Sequence, residues 1–226
     1  ESLKKSSITL KIMKIKPYQY YLFDSDGTLL DTAELIFQSF LYTCEKYGDF
    51  TIERPRVIAD IGQPLVRQIQ LYLGQLPDND LKSILDDFRD YQLSIYQDHL
   101  SVFPGVEGNL RQLKNRGKKL AVVTSRKLDT TEIYLKVSRL FDFFDVIISP
   151  ESTIDHKPHP APAFKALEML NGNGQDALFI GDAYFDIECG QQAGIDTALV
   201  SWSQNDPNSI QPAPTYIIQQ MSDLLD

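Results

Sequence analysis

Four short stretches of this sequence bring together side chains that can do chemistry. Asp24 and Asp26 stand one residue apart in Asp24-Ser25-Asp26-Gly27-Thr28. Two carboxylates so close, on a glycine-containing turn, repel each other at a cost that a cation relieves. Asp182 and Asp186 add two more on a turn leading into a helix. Magnesium takes hard oxygen ligands and commonly uses one or two carboxylates together with a phosphate oxygen of its substrate. The four carboxylates therefore point to a Mg2+ site beside a phosphate. Thr124 can donate its hydroxyl hydrogen to a phosphate oxygen, and the backbone N–H of Ser125 can donate another where a turn or helix begins. Lys157 lies in His156-Lys157-Pro158-His159-Pro160, where the prolines stiffen the loop and fix a cation against a phosphate. Each stretch alone has a plainer reading: an ordinary Asp-Gly turn, a Thr-Ser N-cap, a solvated lysine. His156 and His159 lack further ligands at zinc spacing.

The elements that carry these residues decide between the readings. An aromatic and apolar run over residues 18–23 reads as a buried strand and stops at Asp24. From residue 103 onward, strands and helices alternate. Strands are expected over 119–123, 146–148, 177–180 and 197–200, helices over 106–116, 130–140, 162–170 and 187–193. A last strand is expected within 212–218 and a turn of helix over 221–225. Such alternation means a parallel sheet covered by helices on both faces. In an open parallel sheet, ligands bind at the carboxyl ends of the strands. Three of the expected strands end in Asp24, in Thr124-Ser125 and in Asp182, so they can converge on one pocket.

Between the first strand and this alternating region, residues 33–98 contain no convincing strand. Asp31 with Glu34 reads as a capping box. Ala33, Ile36, Phe37, Phe40, Leu41, Cys44 and Tyr47 then recur at helical spacing up to Gly48. Shorter helices are expected over 57–61 and 65–73, divided by Gly62-Gln63-Pro64. Leu81, Ile84, Leu85, Phe88, Gln92 and Ile95 mark a longer one. The fold class expected is α/β: a Rossmann-like parallel sheet core with a helical cap domain inserted after the first strand. Residues 17–31 and 99–226 make the core, 32–98 the cap, and 1–16 a basic N-terminal tail.

Composition narrows the partners. With 22 Lys plus Arg against 31 Asp plus Glu, the formal charge is −9, which argues against nucleic acid or an anionic membrane as partner. Cys44 and Cys189 lie far apart and form no metal or redox motif; two free thiols in a reducing cytoplasm are expected. No apolar run approaches the roughly 18 residues of a membrane span. The first sixteen residues hold five lysines and no continuous apolar stretch of the kind a secretion signal has. A cytoplasmic protein, monomer or homodimer, acting on a small phosphorylated metabolite is the expectation.

Taken in order, Asp24-Ser25-Asp26-Gly27-Thr28, Thr124-Ser125, Lys157-Pro158 and Gly181-Asp182 with Asp186 resemble the motif set of haloacid dehalogenase superfamily phosphatases. The resemblance covers roughly residues 18–226, and Phe103-Pro104-Gly105-Val106 and Ala193-Gly194 share in it. The subgroup it looks most like is the phosphoglycolate phosphatase and pyrophosphatase-like one, with a helical cap. It implies that Asp24 attacks phosphorus and that Asp26 serves as acid and then base. It implies a magnesium ion held by Asp24, the backbone carbonyl of Asp26 and Asp182, with Asp186 in support. It further implies phosphoryl oxygens held by Thr124, Lys157 and backbone amides near Gly27 and Ser125. The second Asp of the first motif favours phosphatase over dehalogenase chemistry. Ser25 departs from the family's bulky apolar or aromatic residue; strand alternation turns it away from Asp24 and Asp26, so an effect on packing is expected. Gln63 and Arg67 are candidates for substrate specificity, against the plainer reading of a helix break and a solvated arginine. Hinges are expected near 30–32 and 100–103, letting the cap close. An inorganic pyrophosphatase or a sugar phosphomutase of the same superfamily would share the core. A catalytically silent binding protein on this fold would not turn over para-nitrophenyl phosphate with magnesium.

Overall fold

The computed structural model describes residues 14–202 and 210–225. Most of the basic segment expected over 1–16 lies outside the described residues; of its last positions, Ile15 is already buried in the core and Lys16 pairs with Asp196. In chain order, β1 (Tyr20–Phe23) is followed by a two-residue β2 (Leu30–Asp31) and four helices. These are α1 (Ala33–Gly48), α2 (Arg54–Ala59), α3 (Leu65–Leu73) and α4 (Asp78–His99). Then come β3 (Ser101–Val102), α5 (Val106–Asn115), β4 (Lys119–Val123), α6 (Leu128–Val137), β5 (Val146–Ile148) and α7 (Ala161–Leu170). β6 (Ala177–Gly181), α8 (Tyr184–Gln192), β7 (Asp196–Val200) and β8 (Tyr216–Ile218) complete the order.

Six strands form one parallel sheet in the order β5-β4-β1-β6-β7-β8. The alternation of side chains along each strand sorts them onto two faces. Tyr21, Phe23, Leu120, Val122, Leu178 and Ile180 join Leu110, Leu113, Tyr134 and Leu135 of α5 and α6 in one core. Leu22, Ala121, Val123, Ala177 and Phe179 join Ala163, Ala166, Leu167, Leu170 and Cys189 of α7 and α8 in the other. Leu22 and Phe23 are completely buried, and each such side chain contributes about 1.5–3 kcal/mol. That double burial explains why the strands read as continuous apolar runs rather than half-polar ones. The α/β class expected from the alternation is the one observed.

The helical stretch has a core of its own. Ile36, Phe40 and Cys44, one helical turn apart on α1, pack with Val57, Ile69, Tyr72, Ile84, Leu85 and Phe88. Cys44 and Cys189 are free and buried in separate cores. Where the stretch joins the sheet, β2 and β3 pair antiparallel, Leu30 opposite Val102 and Asp31 opposite Ser101. This two-stranded ribbon occupies the positions expected to be hinges. It also displaces the expected capping box: Asp31 is a strand residue, Thr32 is the N-cap, and Asp31 Oδ1 accepts the Ala33 N–H at 3.3 Å. Glu34 instead accepts from Gln38 and Arg54. The last strand is confined to Tyr216–Ile218, because Pro212 and Pro214 have no N–H to give a ladder. The final helical turn is a 3-10 turn, Met221–Leu224.

Candidate active site

β1 lies between β4 and β6, so three neighbouring strands end side by side, where the chain order of the sheet reverses. The Asp24 N–H still bonds the Ile180 carbonyl at 2.9 Å, and the Thr124 N–H bonds the Ile148 carbonyl at 2.9 Å. Beyond Asp24 the chain folds into a tight loop. The Ser25 carbonyl accepts from the N–H groups of Leu29 and Leu30, and the Gly27 N–H bonds the Leu30 carbonyl at 2.8 Å. The Ser25 side chain is buried and its hydroxyl has no hydrogen-bond partner among the described residues.

Lys157 is the electrostatic centre of the site. Its ammonium donates to Asp24 Oδ1 at 2.8 Å, Asp186 Oδ1 at 2.7 Å and the Val123 carbonyl at 3.1 Å. Burial alone would lower the amine's pKa, but Asp186 and Asp24 outweigh it and raise it, so the charge is kept. The other Asp186 oxygen accepts from the Asp182 and Ala183 N–H groups at 3.2 and 3.1 Å. Asp24, Asp182 and Asp186 each present an oxygen within 4.8 Å of the others, and all three are buried. Burial pushes Asp24 up to about 7 despite the opposing pull of Lys157, with Asp186 and Asp26 adding to the rise. Burial, then Asp186 and Asp24, hold Asp182 well above the usual carboxylate range. One lysine cannot neutralise three buried acids. A hard divalent cation fits this donor set and would favour their ionised forms.

Of the four acids expected at a metal, three come together. The Asp26 carboxylate turns away to Arg126, which donates from Nε to one oxygen and from Nη2 to the other, both at 3.0 Å. Arg126 is almost fully buried, donates from Nη1 to Gln92 Oε1 at 2.5 Å, and lies 4.5 Å over the Tyr134 ring. Thr124, Ser125, Lys157 and Gln63 line the same cavity as Asp24 and Asp26, together with Phe40, Gln68 and Arg89. Arg67 does not line it and is exposed: α3 buries Gln68, Ile69 and Tyr72, and at 100° per residue Arg67 falls on the outer side. Arg126 and Gln92 are functional candidates that the sequence reading did not single out. The sign available was a glutamine inside the otherwise apolar stripe of α4.

Gly27 has φ +77°, and a Cβ there would stand 2.2 Å from Asp182 Oδ2. Gly27→Ala is therefore expected to destabilise the protein by about 1–2 kcal/mol from its backbone alone. It should also displace Asp182 and weaken divalent-metal binding at least about tenfold, a loss of roughly 1.4 kcal/mol, measured by calorimetry. Unchanged affinity would mean that Asp182 is not a ligand.

Residues 21–200 match the family profile of haloacid dehalogenase-like hydrolases. The pyrophosphatase PpaX of Bacillus cereus is 35% identical over 205 residues, covering 90% of this chain and 93% of that protein. A Bacteroides fragilis structure assigned as a haloacid dehalogenase-like hydrolase superposes with a TM-score of 0.84 at 26% identity, over 92% of this chain and 99% of the other. A Lactobacillus plantarum structure assigned as a phosphoglycolate phosphatase gives 0.82 at 27% identity, over 93% and 99%. No helix among the described residues is long and apolar enough to cross a membrane. The chain belongs to the haloacid dehalogenase-like hydrolase family.

Proposed function

We propose that this chain is a magnesium-dependent phosphatase that hydrolyses a small organic phosphate monoester through a phosphorylated Asp24. The observation that carries the reading is the Asp24–Lys157–Asp186 chain beside Asp182, at the ends of adjacent strands. An Asp24 oxygen attacks phosphorus while the bond to the leaving oxygen breaks, and Asp26 supplies the proton that the leaving oxygen takes up. Asp26 then takes a proton from water, whose oxygen attacks phosphorus, breaks the bond to Asp24 and releases inorganic phosphate. In this reading Thr124 and the Ser125 N–H hold the phosphoryl oxygens beside the charge of Lys157, whose hydrogens go to Asp24, Asp186 and the Val123 carbonyl; the Gly27 N–H, expected to join them, is taken by the Leu30 carbonyl. Asp24, the Asp26 carbonyl and Asp182 would hold Mg2+, with Asp186 in support through its grip on Lys157 and the Asp182 N–H. Bound there, the ion would neutralise charge between an anionic nucleophile and an anionic substrate.

The helices over 32–98 serve in this reading as a cap, with the β2–β3 ribbon as its hinge and Gln63 among the groups facing the substrate. Closure over the cleft would exclude water. Pyrophosphate is the second candidate substrate, because relatives 34–35% identical carry the name pyrophosphatase. Turnover of both compounds by one preparation ranks them.

Chelation tests the metal. Hydrolysis should disappear in EDTA and return with magnesium. Asp182→Ala should need at least about tenfold more magnesium, a cost near 1.4 kcal/mol, or fail altogether. Undiminished turnover in chelator would remove the metal from the mechanism.

A further inference from the structure

We infer that Arg126 is the seat for an anionic group on the leaving part of the substrate, taken in exchange for Asp26. The enzyme would then favour phosphate compounds whose leaving group carries its own negative charge. The inference rests on the reading of Asp26 as the group that protonates the leaving oxygen.

Both oxygens of Asp26 are occupied, each by a different nitrogen of Arg126 at 3.0 Å. Asp26 can face a leaving oxygen only if at least one of those bonds is given up. Arg126 cannot simply be abandoned. Its side chain is 9% exposed, and a guanidinium does not lose its charge. A buried cation stripped of its partner is strongly unfavourable. Its remaining partner, Gln92 Oε1, is neutral and already shared with the Tyr134 hydroxyl at 3.3 Å. The Tyr134 ring beneath it keeps the guanidinium plane in place. The replacement must come from the cavity, and the group that matches the fork left by Asp26 is a carboxylate or phosphoryl with two oxygens.

The cavity is suited to such a group. Lys157 is committed to Asp24 and Asp186, yet Arg126 and Lys127 also line the wall, with Arg89, which pairs with Asp86 at 3.2 Å. Once Asp26 has left Arg126, a charged leaving group meets Arg126 and Lys127 on the same wall, in a chain of formal charge −9. A leaving alcohol without charge would bring nothing to exchange for Asp26. The Gln92 link also places the exchange at the junction with the helices. Gln92 belongs to α4, and its amide donates to Ser39 Oγ of α1 at 3.4 Å.

The test compares phosphoglycolate with 2-hydroxyethyl phosphate, which replaces the carboxylate by a neutral alcohol. With magnesium, wild-type kcat/KM should favour phosphoglycolate at least about tenfold. In Arg126→Gln this ratio should fall to near one, and in Arg126→Lys to an intermediate value, since lysine keeps the charge but not the fork. A ratio unchanged in Arg126→Gln would overturn the inference, whatever the absolute rates. Calorimetry on the magnesium-loaded wild type provides a second measurement that needs no variant to fold. 3-Phosphonopropionate should bind at least about tenfold more tightly than propylphosphonate, and equal affinities would likewise overturn the inference. Failure of the wild type to hydrolyse any ester would overturn the phosphatase reading, while the calorimetric comparison would still decide the role of Arg126.

Discussion

Asp24→Asn should abolish hydrolysis and leave the fold standing. The loss expected is at least about a thousandfold in kcat, because a covalent nucleophile has no substitute in the site. The fold should survive because the substitution is nearly isosteric. An asparagine oxygen can still accept from Lys157, which also keeps Asp186 and the Val123 carbonyl. It removes one negative charge from a cluster of three buried acids, and burial already holds the Asp24 carboxyl up near 7. Metal-free Asp24→Asn should therefore melt within a few degrees of the metal-free wild type, a difference under about 1 kcal/mol. Steady-state kinetics and thermal melts on one preparation measure both. Residual activity above a tenth of wild type would mean that another group attacks phosphorus.

The half of the site that lies on strand ends was legible in the sequence, for a local reason. An apolar run that stops at Asp24, at Thr124 or at Asp182 announces its own end, and a parallel sheet brings such ends together. The other half depends on contacts between distant segments. Arg126 follows Thr124-Ser125 directly, but its meaning comes from Asp26, 100 residues away, and from Gln92, 34 residues away. Nothing local separates it from a solvated arginine. Gln92 was visible only as a member of the helical stripe of Leu85, Phe88 and Ile95. The residue is 3% exposed, and a glutamine so buried must meet a partner. Arg67 fails in the opposite direction. A charge near a helix break suggests a site, and the helix phase set by Gln68, Ile69 and Tyr72 turns it outward. The Asp31–Glu34 spacing misleads because Asp31 is held in the ribbon with Ser101, a pairing with the far end of the helical stretch. Helix existence, strand identity and the two cores follow from periodicity; register and ion-pair partners follow from tertiary contacts.

Lys157→Met should damage stability and catalysis together, and magnesium should repair only the first. Methionine keeps the length and apolar stem of lysine but leaves Asp24 and Asp186 without their shared cation. Removing one member of a buried ion pair costs about 3–5 kcal/mol, because the acids that remain must be ionised without a partner or take up protons. In metal-free buffer the variant should therefore melt well below wild type. A divalent ion bound among Asp24, Asp182 and Asp186 would supply the missing charge, so magnesium should raise the melting temperature of Lys157→Met more than that of wild type. Activity should not follow. Lys157 also fixes Asp24 Oδ1 at 2.8 Å, and neither metal nor methionine restores that hydrogen bond. With magnesium saturating, kcat should remain at least about a hundredfold down, a barrier increase near 2.7 kcal/mol. Equal magnesium-induced shifts in the two proteins would separate the lysine from the metal cluster. Turnover within threefold of wild type would mean that Lys157 is there for the fold alone.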